Sequence, residues 1–130
     1  MSETKLPGDL RYTKTHEWVR LEGDSATVGI TDHAQGQLTD IVFVDLPAPG
    51  KAVAKGASVL VLESVKTVAD VYAPGEGTVA EANLELKTHP EYVNQDPYGK
   101  GWLFRLKLSA PIDPAELLSA EAYRKVEASG

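Results

Sequence analysis

The stretch from residue 59 to 77, Val-Leu-Val-Leu-Glu-Ser-Val-Lys-Thr-Val-Ala-Asp-Val-Tyr-Ala-Pro-Gly-Glu-Gly, leaves the chain few ways to fold. An apolar, β-branched run enters it and a second alternating run leaves it. A short polar turn lies between them. Two such runs about a turn predict a β-hairpin. Lys66 falls at its tip, and no arginine or other lysine occurs from Gly56 to Thr78. The turn residues Glu63 to Thr67 include none of the Gly, Asn or Asp that hairpin tips favour, so something besides turn chemistry selects them. A lysine displayed alone in water is a handle for covalent attachment. A lysine acting as its own nucleophile needs burial or a nearby cation to lower its pKa, and a tip beside Glu63 offers neither. The pattern predicts a carrier modified by another enzyme.

The rest of the chain reads as short strands broken by Gly and Pro. Residues 17–22 and 25–30 flank Gly23-Asp24 as a second hairpin. Thr31 is placed to cap a single helical turn over residues 31–35. Residues 41–45, 78–82 and 101–108 read as further strands, and Asp96-Pro-Tyr-Gly99 as a turn. Segments 41–60 and 78–93 echo one another as strand, turn, strand. Two such halves face to face predict a flattened barrel or two-sheet sandwich. Asp113-Pro114-Ala-Glu116 carries a cap, a first-turn Pro and an acid three residues on, predicting a C-terminal helix over residues 114–127. No linker-like stretch divides the 130 residues, which predicts one domain, 1–130.

Composition narrows the function classes. The net charge of −6 argues against a nucleic-acid partner, since such binding relies on Lys and Arg to neutralise phosphates. Cysteine is absent, so disulfides, thiolate nucleophiles and Cys-based zinc sites are excluded. No apolar run reaches membrane-spanning length. Residues 1–10 lack the features of a secretory or organellar leader, which leads to the expectation of a cytoplasmic protein. His16, His33 and His89 fit no metal-binding spacing, because Arg20 stands where a His-Glu-x-x-His motif needs its second histidine. No P-loop or nucleophile–base arrangement is visible. Trp18, Trp102 and Tyr98 are read as packing aromatics. No long unmatched apolar stripe is visible, so a monomer is expected.

Several ordered motifs together resemble the H protein family of the glycine cleavage system, a family of lipoyl carriers. They are Tyr12-Thr-Lys-Thr-His-Glu-Trp18, Val28-Gly-Ile-Thr-Asp-His-Ala-Gln35, Asp40-Ile-Val-Phe-Val-Asp-Leu-Pro47, Glu63-Ser-Val-Lys66, Asp70-Val-Tyr-Ala-Pro74, Val93-Asn-Gln-Asp-Pro-Tyr-Gly99 and Gly101-Trp102. The resemblance runs from about Leu10 to Tyr123. It departs at Thr39, where the family usually has Gly, in Pro74-Gly-Glu-Gly77, and at Ala82. A Gly position at 39 implies positive φ, so Thr39 is expected to alter a local turn.

The resemblance implies a mainly β fold: a lipoyl/biotinyl-type barrel-sandwich hybrid of antiparallel sheets with short helices and a C-terminal helix. It implies lipoate in amide linkage on Lys66, with Glu63 as the recognition residue for lipoylating enzymes. It implies a non-catalytic shuttle working with pyridoxal-phosphate-dependent glycine decarboxylase, a tetrahydrofolate-dependent aminomethyltransferase and dihydrolipoamide dehydrogenase. It also places Thr15, Glu17 and Asp70 beside the docked arm. A biotin carrier is the nearest alternative by fold, but such carriers usually flank the lysine with Met, where Val65 and Thr67 stand here. An H-protein-like relay that passes on lipoyl groups without glycine cleavage is the other alternative.

Overall fold

The computed structural model describes residues 6–129; of the segment 1–10 read above, residues 1–5 lie outside them. Nine strands form two antiparallel sheets among the described residues. One sheet has the order β1-β2-β3-β9-β8-β5, built from Arg11–Tyr12, Glu17–Glu22, Ser25–Ile30, Phe104–Leu108, Gly77–Ala82 and Ala52–Val53. The other has the order β4-β6-β7, from Ile41–Asp45, Ser58–Ser64 and Val68–Tyr72. The helices are α1 (Asp32–Leu38), α2 (Tyr92–Gln95) and α3 (Ala120–Ser129). The fold is thus mainly β with short helices and a C-terminal helix, and neither sheet closes on itself among the described residues.

The inward faces follow from strand alternation. Val44, Leu60, Leu62 and Val71 of the small sheet bury against Val19, Val28, Val79, Phe104 and Leu106 of the large one. A second cluster, Leu10, Tyr12, Trp18 and Tyr123, lies beneath α3. Trp18 is fully buried and its indole nitrogen donates to the Pro97 carbonyl at 2.8 Å, in keeping with its reading as a packing aromatic. Its ring lies over Gly29, the residue paired with it across β2 and β3. A Cβ at position 29 would sit 2.5 Å from the indole nitrogen.

Four local expectations change. The turn capped by Thr31 does form, with its hydroxyl accepting from the Ala34 amide at 3.2 Å, but the helix continues to Leu38. The C-terminal helix does not begin at residue 114. Asp113 caps only a 3-10 turn, Pro114–Glu116, and the chain then extends so that Leu118 exchanges two backbone hydrogen bonds with Tyr12, at 2.8 and 2.7 Å. Those bonds compete successfully with helix propagation, and α3 starts afresh at Ala120, where the Ser119 hydroxyl accepts from the Ala122 amide. Segment 78–93 also does not repeat strand, turn, strand. After β8 it forms a 3-10 helix, Leu84–Lys87, and then α2. Asn83 ends the strand by donating to the Lys100 and Trp102 carbonyls at 2.7 and 2.8 Å, and Pro90 has no N–H to give a ladder. The two sheets are therefore unequal in size and are not two similar halves. The expected 101–108 strand likewise starts only at Phe104.

Candidate functional site

The Lys66 hairpin is formed by β6 and β7, which pair from Ser58 opposite Tyr72 to Glu63 opposite Val68. Ser64 organises its tip. The Ser64 amide donates to the Thr67 carbonyl at 2.8 Å, and its hydroxyl oxygen receives the Lys66 and Thr67 amides at 3.3 and 3.1 Å. That side chain supplies the turn chemistry that Gly or Asn would otherwise give. The Val65 amide donates to the Asp40 carbonyl at 3.0 Å, so the tip leans on the entry to β4. Lys66 is exposed, as are Val65 and Val68 on either side of it.

Thr15, Glu17 and Asp70 meet around one cleft of about 160 Å³, bounded also by Ile30, Leu38, Leu62 and Val71. Asp70, one of its exposed lining residues, lies four residues along the hairpin from Lys66, roughly 13 Å at the ordinary strand rise. Glu63 does not join them. It pairs with Phe43 and Val68 in a row on the outer face of the small sheet. Asp70 stands in that outer row too, opposite Val61, and its carboxylate accepts the Ser58 hydroxyl at 2.7 Å. It borders the cleft because β7 is an edge strand.

Glu17 is the centre of the cleft wall. It is 1% exposed, and the Thr13 and Thr15 hydroxyls both donate to its Oε1 at 2.5 Å. Its Oε2 accepts the Tyr72 amide at 3.3 Å, satisfying an outward N–H on the open edge of β7. Burial pushes the Glu17 carboxyl pKa up, and the two hydroxyls and the amide pull against that shift. The segment is held in shape by His16, which takes φ of 70° in a region non-glycine residues seldom occupy. Its Nδ1 is 2.6 Å from the Tyr123 hydroxyl. Burial, then the neighbouring His33, lowers the His16 pKa.

A larger groove of about 510 Å³ shares Thr15 and Glu17 and continues past Tyr72 and Pro74 toward Leu118. It lies at the far end of β7 from Lys66, about 20 Å along the strand. Of the two, the smaller cleft has the lining residues nearer to Lys66 along the hairpin.

Sequence reasoning missed Thr13, Ser64 and the Tyr72 amide. For Thr13 a signal existed, because Thr13-Lys-Thr15-His-Glu17 places two hydroxyls at alternate positions before an acid. The role of the Tyr72 amide depends on which strand edge is left unpaired and has no local signature.

Residues 10–129 match the family model described as glycine cleavage H-protein. The glycine cleavage system H protein of Thermus thermophilus is 56% identical over 121 residues, covering 93% of this chain and 94% of that relative. The corresponding protein of Rubrobacter xylanophilus is 54% identical over 121 residues, covering 93% and 94%. The crystal structure of a glycine cleavage system H protein from Mycobacterium marinum superposes with a TM-score of 0.84 at 40% identity, covering 92% of this chain and 97% of that one. The extent of the family match, together with the shared fold, shows that the chain belongs to the glycine cleavage H-protein family.

Proposed function

We propose that the protein is the lipoyl-bearing shuttle of a glycine cleavage system and is not itself an enzyme. In this reading it receives an aminomethyl group from glycine decarboxylase and yields it to a tetrahydrofolate-dependent aminomethyltransferase. Dihydrolipoamide dehydrogenase then reoxidises it. The observation that carries the reading is the exposed Lys66 at a Ser64-braced tip, with a carboxylate-lined cleft four residues down the same hairpin, in a chain of this family. The cytoplasm is the compartment that suits such partners, and no helix among the described residues is long and apolar enough to cross a membrane.

The residues fit a lipoyl arm. The Lys66 amine is accessible to an acylating enzyme, and the cleft offers apolar walls from Ile30, Leu38, Leu62 and Val71. When attached, lipoate supplies a disulfide that takes up the aminomethyl group with two electrons. The chain's own task is then protection. A nitrogen with a free lone pair would let go of the arm, its carbon ending as formaldehyde and the nitrogen as ammonia once water is taken up. A protonated nitrogen cannot do so. Glu17 suits that purpose because a buried carboxylate with a raised pKa gains most from an incoming ammonium, which offsets its lost hydration. Thr13 and Thr15 aim it, and Asp70 borders the entrance.

Intact-mass and peptide measurements after co-expression with a lipoylating enzyme test the first step, which requires a lipoyl adduct on Lys66. Adding glycine and glycine decarboxylase tests the second, which requires a further aminomethyl adduct. A protein lipoylated on Lys66 that stays unloaded under those conditions would be a lipoyl relay instead. A biotin adduct on Lys66 would make it a biotin carrier.

A further inference from the structure

We propose that Tyr123 of α3 is a positioning residue for the cleft, because its single hydroxyl ties His16 on one wall to Thr31 at the head of the other. The inference rests on the shuttle reading above only for its functional consequence. The hydroxyl lies 2.6 Å from His16 Nδ1 and 2.7 Å from Thr31 Oγ1. A phenol can donate one hydrogen bond and accept another, so one group serves both walls. His16 sits between Thr15 and Glu17 in the strained backbone that presents them to the cleft. Thr31 caps α1, whose Ala34, Gln37 and Leu38 line the opposite side. The walls also touch directly, through the Thr31 amide and the His16 carbonyl at 3.0 Å. A left-handed histidine costs about 1 kcal/mol or more and persists only where its surroundings over-determine it. The Tyr123 hydroxyl adds a directional hydrogen bond to a ring that also packs against His33, with centroids 5.0 Å apart.

Tyr123 is fully buried, and its ring stacks on Tyr12 with centroids 5.1 Å apart. Burial raises its pKa, so the phenol stays neutral and keeps both hydrogen-bonding roles. The stack and the packing beneath α3 remain when the hydroxyl alone is removed. Tyr123→Phe therefore separates the hydrogen-bond role from the packing role. Val126→Ala is the matched control, since it thins the packing of the same helix without touching the hydroxyl.

The first readout uses unmodified protein. Amide hydrogen exchange in Tyr123→Phe should quicken tenfold or more at Tyr72, whose N–H Glu17 holds, and at Thr31 and Ala34. Phe104, in the centre of the large sheet, should be unchanged, as should all four amides in Val126→Ala. His16→Asn, which tolerates the left-handed backbone but loses the ring, should reproduce the Tyr123→Phe pattern. Unchanged exchange at Tyr72 and Ala34 in both Tyr123→Phe and His16→Asn overturns the proposal. So does a parallel rise at Phe104, which would indicate general loosening. The second readout is spontaneous release of formaldehyde and ammonia from loaded protein. Tyr123→Phe should speed it at least threefold with loading unchanged, and should add nothing in a Glu17→Gln background. If Glu17→Gln alone leaves release unchanged, the protective reading of the cleft fails, while the exchange data still decide the role of Tyr123.

Discussion

Glu17 and Tyr72 join the two sheets: the carboxylate of β2 accepts the backbone amide of β7 at 3.3 Å across 55 positions of sequence. β7 is an edge strand, and an exposed edge invites pairing with other chains. The bond closes one of its donors and simultaneously brings a buried acid to within reach of the hairpin that carries Lys66.

That burial gives a pH signature. The folded-state pKa of Glu17 is raised, so the folded protein binds more protons than the unfolded chain above about pH 4.5. Stability from this group is complete below the unfolded value of 4.5 and is lost as pH rises through the folded value. His16 acts oppositely. Its pKa is lowered, so its contribution is complete above 6.5 and is lost as pH falls. Urea unfolding from pH 4 to 8 should therefore show Glu17→Gln gaining on the native protein as pH rises. A constant difference across that range would contradict the burial effect.

Protection of the loaded arm is expected to depend unequally on the two acids. Glu17→Gln should speed the release of formaldehyde and ammonia severalfold while leaving loading nearly intact. Asp70→Asn should have a smaller effect, because its carboxylate is on the outer row and already accepts the Ser58 hydroxyl. Release can be followed in the absence of the transferase. Identical decay in native protein and both variants would remove these residues from the site.

Attachment should depend on the tip as a shape. Lys66→Arg should fold normally and take no lipoate, since a guanidinium is a poor acyl acceptor. Moving the lysine to position 65 or 67 should also abolish modification. Ser64→Ala removes the acceptor for the Lys66 and Thr67 amides and should slow lipoylation several-fold, with a stability loss of about 1 kcal/mol or less. Glu63→Ala should slow it as well, if the enzyme reads the outer face where Glu63 stands beside Phe43. Mass spectrometry over a time course measures all four, and an adduct on Lys51, Lys55 or Lys87 would refute the assignment.

Thr39 ends α1 with φ of 63° and ψ of −154°, a conformation essentially reserved for glycine. Its amide donates to Gln35 and its carbonyl accepts from Asn94, at 3.0 and 2.8 Å. Both bonds, the second donated by the Asn94 side-chain amide, use the backbone of residue 39 and need no side chain there; the Thr39 hydroxyl adds only a local bond to the Leu38 carbonyl. Thr39→Gly should therefore stabilise the protein by about 1 kcal/mol, after allowing for the greater unfolded-state entropy of glycine. A lower thermal midpoint would show that the strain is not there.

Gly29→Ala should do the reverse. The added methyl would fall 2.5 Å from the Trp18 indole nitrogen, forcing the ring off the Pro97 carbonyl. A loss of roughly 1–3 kcal/mol is expected for overpacking of this kind. It should come with a change in tryptophan fluorescence, and an unaltered spectrum with full stability would count against it.

The hairpin and its lysine were legible in the sequence because they are local. Alternation about residues 64–67 specifies two paired strands, and the solitary lysine marks the tip. The caps at Thr31 and Asp113 were legible for the same reason, and both side chains accept the amides expected of them. What followed Asp113 was not. Helix signals there are outcompeted by two backbone bonds from Leu118 to Tyr12, on a strand more than a hundred positions away. Thr15, Glu17 and Asp70 were named from family motifs, but only the tertiary structure decided that one cleft is lined by all three and that Glu63, in the same outer row as Asp70, stays outside it. The His16 hydroxyl partner, 107 positions distant, has no trace in local sequence. Contacts that span the chain are selected by which edges and faces remain unpaired after the sheets form, and that is a property of the assembled fold.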